Sequence, residues 1–132
     1  MNVTYAWRGN FDNEEVNRLH AEGFGHPVLG DDWRRQTAEH SLGWACARDD
    51  TDALVGFVNV PWDGATHAFI MDTLVAVRAR RHGIGTRLVQ VAIEEARGAG
   101  CEWLHADFDE ALRSFYIDAC GFVPTPAGLM EL

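Results

Sequence analysis

Residues 67–89 have the sequence HAFIMDTLVAVRARRHGIGTRLV, and this stretch does most to predict the fold. Its first part, residues 67–77, is strongly apolar and predicts a long strand. An Arg- and Gly-rich turn follows, after which residues 84–97 place apolar side chains on one face of a helix. A strand that runs through a tight turn directly into a helix is typical of sites that hold an anion at a helix N-terminus.

The turn itself has the composition of an anion cradle. Gly83 and Gly85 allow the backbone to turn tightly and to approach a ligand closely. The N–H groups at a helix start are unpaired, and the helix dipole adds partial positive charge to them. Arg80 and Arg81 add whole charges, and the Thr86 hydroxyl can donate a hydrogen bond. The turn therefore predicts a phosphate-binding site.

Two common phosphate motifs do not fit this turn. The dinucleotide-binding fingerprint GxGxxG would need glycine where Leu88 stands, and a Walker A loop needs a lysine, which the chain lacks entirely. A nucleotide-binding protein of another fold stays open as an alternative.

Outward from this stretch, strands and helices alternate. Strands are predicted at 3–8, 42–49, 53–60, 67–77, 101–108, Phe122–Val123 and Gly128–Leu132, and helices after Asn10 or Asp12, at 31–40, 84–97 and 110–119. The order β-α-α-β-β-β-α-β-α-β-β predicts an α/β (α+β) fold with a mixed sheet.

Composition predicts one globular domain over residues 1–132. Hydrophobic residues make up 47% and charged residues 23%, and the formal net charge is −9, which argues against a nucleic-acid partner. The three cysteines, Cys46, Cys101 and Cys120, have no metal-site spacing. Because no signal peptide or membrane-length apolar run is present, we expect a cytoplasmic protein without metal or membrane association.

A second motif lies some thirty residues after the first. Arg80-x-x-Gly83-x-Gly85 follows the long strand, and residues 111–122 read ALRSFYIDACGF, with Phe115-Tyr116 and Gly121-Phe122 in its middle and at its end. Together, in this order and with a strand between them, the two motifs resemble those of the GNAT superfamily of acetyl-CoA-dependent N-acetyltransferases. The resemblance is close over about residues 53–123, and the N-terminal part matches only in the order of its elements.

The resemblance implies both a fold and a cofactor site. The fold would be a mostly antiparallel mixed sheet of about six to seven strands with about four helices, splayed between strands 67–77 and 101–108. The cofactor would be acetyl-CoA. The backbone around Leu74 and Val75 would pair with its pantetheine arm. Its pyrophosphate would be held at the turn before the helix by Arg80 and the amides of Arg81, His82, Gly83, Ile84, Gly85 and Thr86.

The implied activity is transfer of an acetyl group to a primary amine, of a small molecule or a peptide, by direct attack in a ternary complex. Tyr116 would return a proton to the departing thiolate. The base stays open: Asp72 shares a strand face with Leu74, His105 and Asp107 form a second candidate pair, and a water chain is a third.

Several features stay open at the level of sequence. Asp109 stands near the position at which many relatives have an asparagine that contacts pantetheine, so that contact is in doubt. The acceptor pocket would involve His26, Asp31, Asp32, Trp33, Trp44 and Trp62, of which most tryptophans are predicted to be core or interface residues and the acids helix caps. A non-catalytic acyl-CoA-binding or regulatory module of the same fold is the alternative function. A homodimer is a further possibility.

Overall fold

In the computed structural model, which describes residues 1–132, the chain forms six strands, three α-helices and three single-turn helical segments. The strands are β1 (Thr4–Trp7), β2 (Ser41–Arg48), β3 (Leu54–Pro61), β4 (His67–Phe69), β5 (Met71–Val75) and β6 (Trp103–His105). The α-helices are α1 (Asn13–Phe24), α2 (Trp33–His40) and α3 (Ile84–Gly98). The single turns are 3₁₀ at Val77–Ala79 and Glu110–Leu112 and π-helical at Ser114–Ala119. No helix has both the length and the apolar character needed to cross a bilayer.

Four strands form an antiparallel sheet in the order β1-β2-β3-β5. Its register aligns Ala6 with Cys46, Cys46 with Phe57, and Phe57 with Leu74. Directly opposed residues share a face of the sheet, so Cys46, Phe57 and Leu74 form a continuous buried row, while Ala6 on the edge strand is exposed. Cys46, Phe57 and Leu74 are each at most 2% exposed.

Helix α3 packs closely on the other face of the sheet because β3 carries a glycine there. A Cβ on Gly56 would lie 2.9 Å from atoms of both Ile84 and Leu88. Those two side chains, with Ala92 and Ala96 further along α3, are buried. The close approach fixes the first turn of α3, and with it the predicted anion cradle, against the end of the sheet.

The predicted strand 67–77 is divided at Ile70. Strand β4 pairs in parallel with β6, and the Ile70 N–H donates to the carbonyl of His105 at 2.7 Å. Beyond that bond β5 pairs only with β3, while the chain after β6 turns away. The predicted splay between these two strands is therefore confirmed, and with it the mixed, mostly antiparallel sheet.

The end of the chain differs from the prediction. The helix predicted at 110–119 is a 3₁₀ turn followed by a π-helical turn, closed by the Cys120 N–H on the Phe115 carbonyl. The strands predicted at Phe122–Val123 and Gly128–Leu132 do not form. Pro124 and Pro126 lie between them and lack the N–H that a strand ladder needs.

Candidate active site

The splay opens a cleft of about 900 Å³ between β5 and the chain that follows β6. One end is closed by residues 79–86 and the first turn of α3, and the far wall by residues 107–109 and the π-helical turn. The cleft brings together residues from both sequence motifs, which are some thirty positions apart along the chain.

A row of free backbone donors lies at one end of the cleft. No backbone N–H from residue 81 to residue 86 donates to a carbonyl of the chain, and the N-cap of α3 has no side-chain hydrogen bond. The first intrahelical bond here is from the Arg87 N–H to the Gly83 carbonyl at 3.0 Å. Six consecutive free donors at a helix N-terminus can bind a diphosphate.

Backbone conformation explains the glycines in this row. Gly83 has φ of 73°, and Arg81, although not glycine, has φ of 68°. Successive left-handed and helical residues turn their N–H groups to one side, which makes a concave anion site. A Cβ on Gly85 would lie 3.3 Å from the Phe115 ring and 3.6 Å from Val75, so this position is narrow.

The arginines near the turn divide into two groups. Arg78 forms an ion pair with Asp49 at 3.0 Å, and Arg87 lies 3.6 Å from Glu94. Arg80 and Arg81 form no ion pair and line the cleft, so they are the arginines with charge available for a ligand. His82 is exposed and lies outside the cleft wall, where only its backbone N–H can take part.

Strand β5 presents an unpaired edge to the cleft and different side chains to its two faces. Leu74 lies 3.6 Å from the position of a Cβ on Gly23 of α1, and Asp72 also faces α1. Thr73 and Val75 face the opposite side, toward the π-helical turn and α3. Because the edge has no partner strand, its backbone groups can pair with an extended ligand.

Tyr116 is held in the cleft wall by aromatic packing. Its ring stacks on Phe108 with centroids 4.9 Å apart and meets the edges of Phe115 and Phe122. Its hydroxyl donates to Thr73 Oγ1 on β5 at 3.3 Å. Burial raises the pKa of Tyr116, so the phenol keeps its proton at neutral pH and can donate it.

Asp72 lines the cleft on the opposite face of β5 from Tyr116. Its backbone has φ of 55°, an uncommon conformation for a residue other than glycine. Burial raises the pKa of Asp72, while the nearby His20 and the Asn59 amide lower it. Asn59 Nδ2 makes no hydrogen bond of normal geometry, although the amide is near enough to act on the Asp72 charge.

The other candidate bases are in different places. Asp107 lines the cleft, as does Asp109, the residue near the position of the pantetheine-contacting asparagine. His105 is exposed, bonded to His67 at 2.8 Å and stacked on Phe69, and it lies outside the cleft. The structure therefore separates His105 from Asp107, which the sequence had paired.

Most of the predicted acceptor residues have structural roles. Trp33 is buried in the core, and the Trp44 Nε1–H donates to the Gly9 carbonyl at 2.8 Å. Trp62 packs against the core. Asp32 caps α2, accepting the Arg35 N–H at 3.1 Å. His26 differs from these residues because its ring contacts His20, which faces the cleft residue Asp72.

Three residues at the site escaped the sequence analysis. Thr73 bonds the Tyr116 hydroxyl, Phe108 stacks on its ring, and His20 faces Asp72 at 3.6 Å. Strand alternation around Asp72 could have pointed to Thr73. Nothing in the sequence connects His20 with a strand some fifty residues later. No group of three or more metal-ligating side chains is assembled in the structure.

Comparison with known proteins shows which family has a matching sequence. The sequence profile of the acetyltransferase (GNAT) family matches residues 10–122. Mycothiol acetyltransferase of Rhodococcus erythropolis (strain PR4 / NBRC 100887) is 33% identical over 63 residues, which are 48% of this chain and 21% of that protein. The match thus spans about a fifth of the length of that curated relative.

Two solved structures show how general the fold is. An acetyltransferase of Trypanosoma brucei superposes with a TM-score of 0.84 at 18% identity, over 99% of this chain and 100% of the other. AAC(6′)-Iy, solved with the bisubstrate analogue CoA-S-monomethyl-acetylneamine, superposes with a TM-score of 0.76 at 17% identity, over 100% of this chain and 98% of the other. At these identities the likeness concerns the fold alone.

Proposed function

Because the chain belongs to the acetyltransferase (GNAT) family, we propose that it transfers an acetyl group from acetyl-CoA to a primary amine by direct attack in a ternary complex. The observation that carries the proposal is the shared cleft. The free N–H groups of residues 81–86 and the buried Tyr116 hydroxyl open onto the same space, at its end and on its wall.

The residues at the closed end fit a nucleotide diphosphate. Six unbonded N–H groups and the unpaired charges of Arg80 and Arg81 supply donors and positive charge for two phosphates. The unpaired edge at Leu74 and Val75 supplies N–H and C=O groups for the amide-containing pantetheine arm. Acetyl-CoA, when bound in this way, supplies the thioester whose acetyl group is transferred.

The proposed chemistry divides between the two faces of β5. Asp72 faces α1, where it can take a proton from the incoming amine. Tyr116 faces the other side, where it can protonate the departing sulfur, since a phenol with a raised pKa is uncharged at neutral pH. A backbone N–H at the β5 edge near Leu74 or Val75 can stabilise the negative charge that develops on the carbonyl oxygen.

Direct attack is supported by the position of the cysteines. None of the three cysteines is part of the cleft wall. Burial raises the pKa of the Cys46 thiol to about 12, which leaves it without thiolate character at neutral pH. An acetylated cysteine is therefore not part of the proposed reaction.

The charge of the cleft supports a cationic acceptor. Arg80 and Arg81 belong to the turn with the free N–H groups, and the other charged side chains of the cleft wall are the carboxylates of Asp72, Asp107 and Asp109. The whole chain carries a formal charge of −9. A primary ammonium group, on a small molecule or a peptide, is drawn to such a surface.

Release of CoA thiol in the presence of a panel of primary amines tests the proposal, with Tyr116→Phe as the decisive variant. We expect this substitution to lower kcat by about 100-fold, the usual contribution of a positioned general acid, and to leave the Kd for acetyl-CoA within about twofold.

Tyr5→Phe is the matched control, because Tyr5 is the only other tyrosine and lies on β1, outside the cleft. It should leave both quantities unchanged. Unaltered kcat in Tyr116→Phe would remove the phenol from the reaction. Tight acetyl-CoA binding without thiol release on any amine would favour a non-catalytic acyl-CoA-binding module.

A further inference from the structure

One side chain of α1, His20, joins the wall of the cleft to the loop after that helix. Its Nε2 lies 3.6 Å from Asp72 Oδ1, and its Nδ1 lies 2.7 Å from Nε2 of His26. The His26 Nδ1 lies 2.6 Å from the carbonyl oxygen of Pro27. The contacts form a continuous line from the carboxylate in the cleft to a half-buried histidine near the surface.

The partners in this line determine which nitrogen atoms carry hydrogen. The Pro27 carbonyl only accepts, so His26 Nδ1 donates, and Nε2 of the neutral His26 ring accepts. His20 Nδ1 is then the donor to His26, which leaves the lone pair of a neutral His20 at Nε2, facing the Asp72 carboxylate. His20 Nε2 and the Asp72 carboxylate are then both acceptors, and a single proton placed between them can bond to both. The pair can therefore take up one proton.

Packing holds His20 in this orientation. Its ring lies against Phe24 and Trp33, with centroids 4.6 Å and 5.4 Å away. Gly25 ends α1 with φ of 70°, and the His26 N–H returns to the carbonyl of Ala21, so the loop brings His26 back beside His20.

The ionisable groups that face His20 are few. From β5 the group is Asp72, and from the loop after α1 it is His26. Helix α2 contributes the uncharged indole of Trp33, and β3 contributes the uncharged amide of Asn59 near Asp72. The proton affinity of Asp72 therefore depends on His20 more than on any other charged side chain.

Resting on the acetyl transfer proposed above, we propose that His20, held in one tautomer by His26, is the positioning residue for Asp72, and that the His20–Asp72 pair takes up the proton that a cationic primary amine loses before it attacks.

The proton balance of this step closes. An ammonium group, R–NH₃⁺, first gives one proton to the pair, which passes it to water. The amine nitrogen then forms a bond to the acetyl carbon as the carbon–sulfur bond breaks. A second proton leaves the nitrogen and replaces the proton that Tyr116 gives to the sulfur. The products are the amide, the CoA thiol and one proton in solvent.

An NMR titration of the Asp72 carboxyl carbon tests the pair without any turnover. Because a cationic His20 lowers the pKa of Asp72, we expect His20→Asn to raise the Asp72 midpoint by about one pH unit. His40→Asn is the matched control, since His40 Nε2 also lies 3.6 Å from a carboxylate, Glu39, but on the exposed surface. It should leave the Asp72 midpoint unchanged.

The unaltered protein gives a second reading that does not depend on how a variant folds. Its imidazole nitrogen spectrum should show neutral His20 with hydrogen on Nδ1. An unchanged Asp72 midpoint in His20→Asn, or a neutral His20 ring protonated at Nε2, would overturn the pairing.

The pH dependence of kcat/KM for an amine separates positioning from a structural role. His20→Asn should lower kcat/KM by about tenfold at pH 7, with the loss shrinking at high pH, where the amine loses its proton unaided. An equal loss at every pH would overturn the proposal. If the unaltered protein releases no thiol with any amine, the proposed function fails, whereas the carboxyl titration still decides whether His20 and Asp72 share a proton.

Discussion

At the scale of single residues, the site depends on β5 directing neighbouring side chains to opposite faces. Asp72 faces His20 of α1, and Thr73 faces the Tyr116 hydroxyl across the strand. A base and an acid placed on opposite sides of one strand cannot neutralise each other directly. Acceptor and leaving group are therefore served by separate side chains in the proposed reaction.

Gly85 offers a test of the narrow cradle at this scale. Gly85→Ala would place a methyl group 3.3 Å from the Phe115 ring. We expect the free energy of unfolding to change by less than about 1 kcal/mol, because crowding against Phe115 opposes the gain from replacing glycine by alanine in a helix. We also expect the Kd for acetyl-CoA to rise roughly tenfold, because the methyl group would displace the N–H donors of the turn from the diphosphate. A tenfold rise in Kd corresponds to about 1.4 kcal/mol of binding free energy.

Calorimetric titration with acetyl-CoA and thermal unfolding measure the two effects. Gly98→Ala, in the last turn of the same helix, is the control because a Cβ there meets nothing within 4 Å. If Gly85→Ala bound acetyl-CoA as tightly as Gly98→Ala, the first turn of α3 would not be the diphosphate site.

At the scale of elements, the turn between β2 and β3 braces the segment that leads into the cradle. Asp49 accepts hydrogen bonds from the Thr51 hydroxyl and N–H and from the Ala53 N–H, at 2.7–3.1 Å. Its other oxygen accepts from Arg78, four residues after Leu74. The Thr51 hydroxyl, the two N–H groups and Arg78 hold the pKa of Asp49 far below its usual value.

Asp49→Asn should therefore lower the thermal stability of the protein at pH 7. A carboxyl whose pKa is lowered by folding stabilises the native state above its unfolded value of 3.8, and this stabilisation is lost as the pH falls below that value. The difference in Tm between the two proteins should thus shrink between pH 5 and about pH 2. Asp50→Asn, in the same turn but exposed, should change the Tm little at any pH. A pH-independent difference for Asp49→Asn would contradict the account.

The sequence predicted elements well where a local signal was strong. Gly83 and the apolar face that begins at Ile84 placed the start of α3 at the observed residue, and Asp12 and Asp32, each one of two candidate caps, are the N-caps of α1 and α2. The break at Ile70 was not predicted, because it arises from a change of pairing partner between β6 and β3. The prediction of two C-terminal strands was wrong because Pro124 and Pro126, which lie between them, lack the N–H groups of a strand ladder.

The site was predictable only in part, for a similar reason. The cradle and Tyr116 lie in contiguous motifs whose chemistry can be read from neighbouring residues. The partners Thr73, Phe108 and His20 depend on which elements pack together, and His20 is brought to Asp72 only when α1 covers β5. The roles of all these residues in binding and transfer stay predictions.

At the scale of the whole molecule, charge is distributed unevenly along one cleft. An acidic chain, with formal charge −9, places two unpaired arginines in the turn before α3 and three carboxylates elsewhere in the cleft wall. Bound acetyl-CoA would therefore have its anionic diphosphate at α3, while a cationic amine would approach from the other end of the cleft. The cytoplasmic location and the homodimer stay predictions at this scale.

The central claim is that the free N–H groups of residues 81–86 bind the diphosphate of acetyl-CoA. The most direct measurement is a ¹H–¹⁵N correlation spectrum of the labelled protein during titration with acetyl-CoA. The account predicts that the largest shifts fall on these six amides and on the β5 edge, and that they saturate together. Saturable binding that leaves residues 81–86 unshifted, or no binding at all, would contradict it.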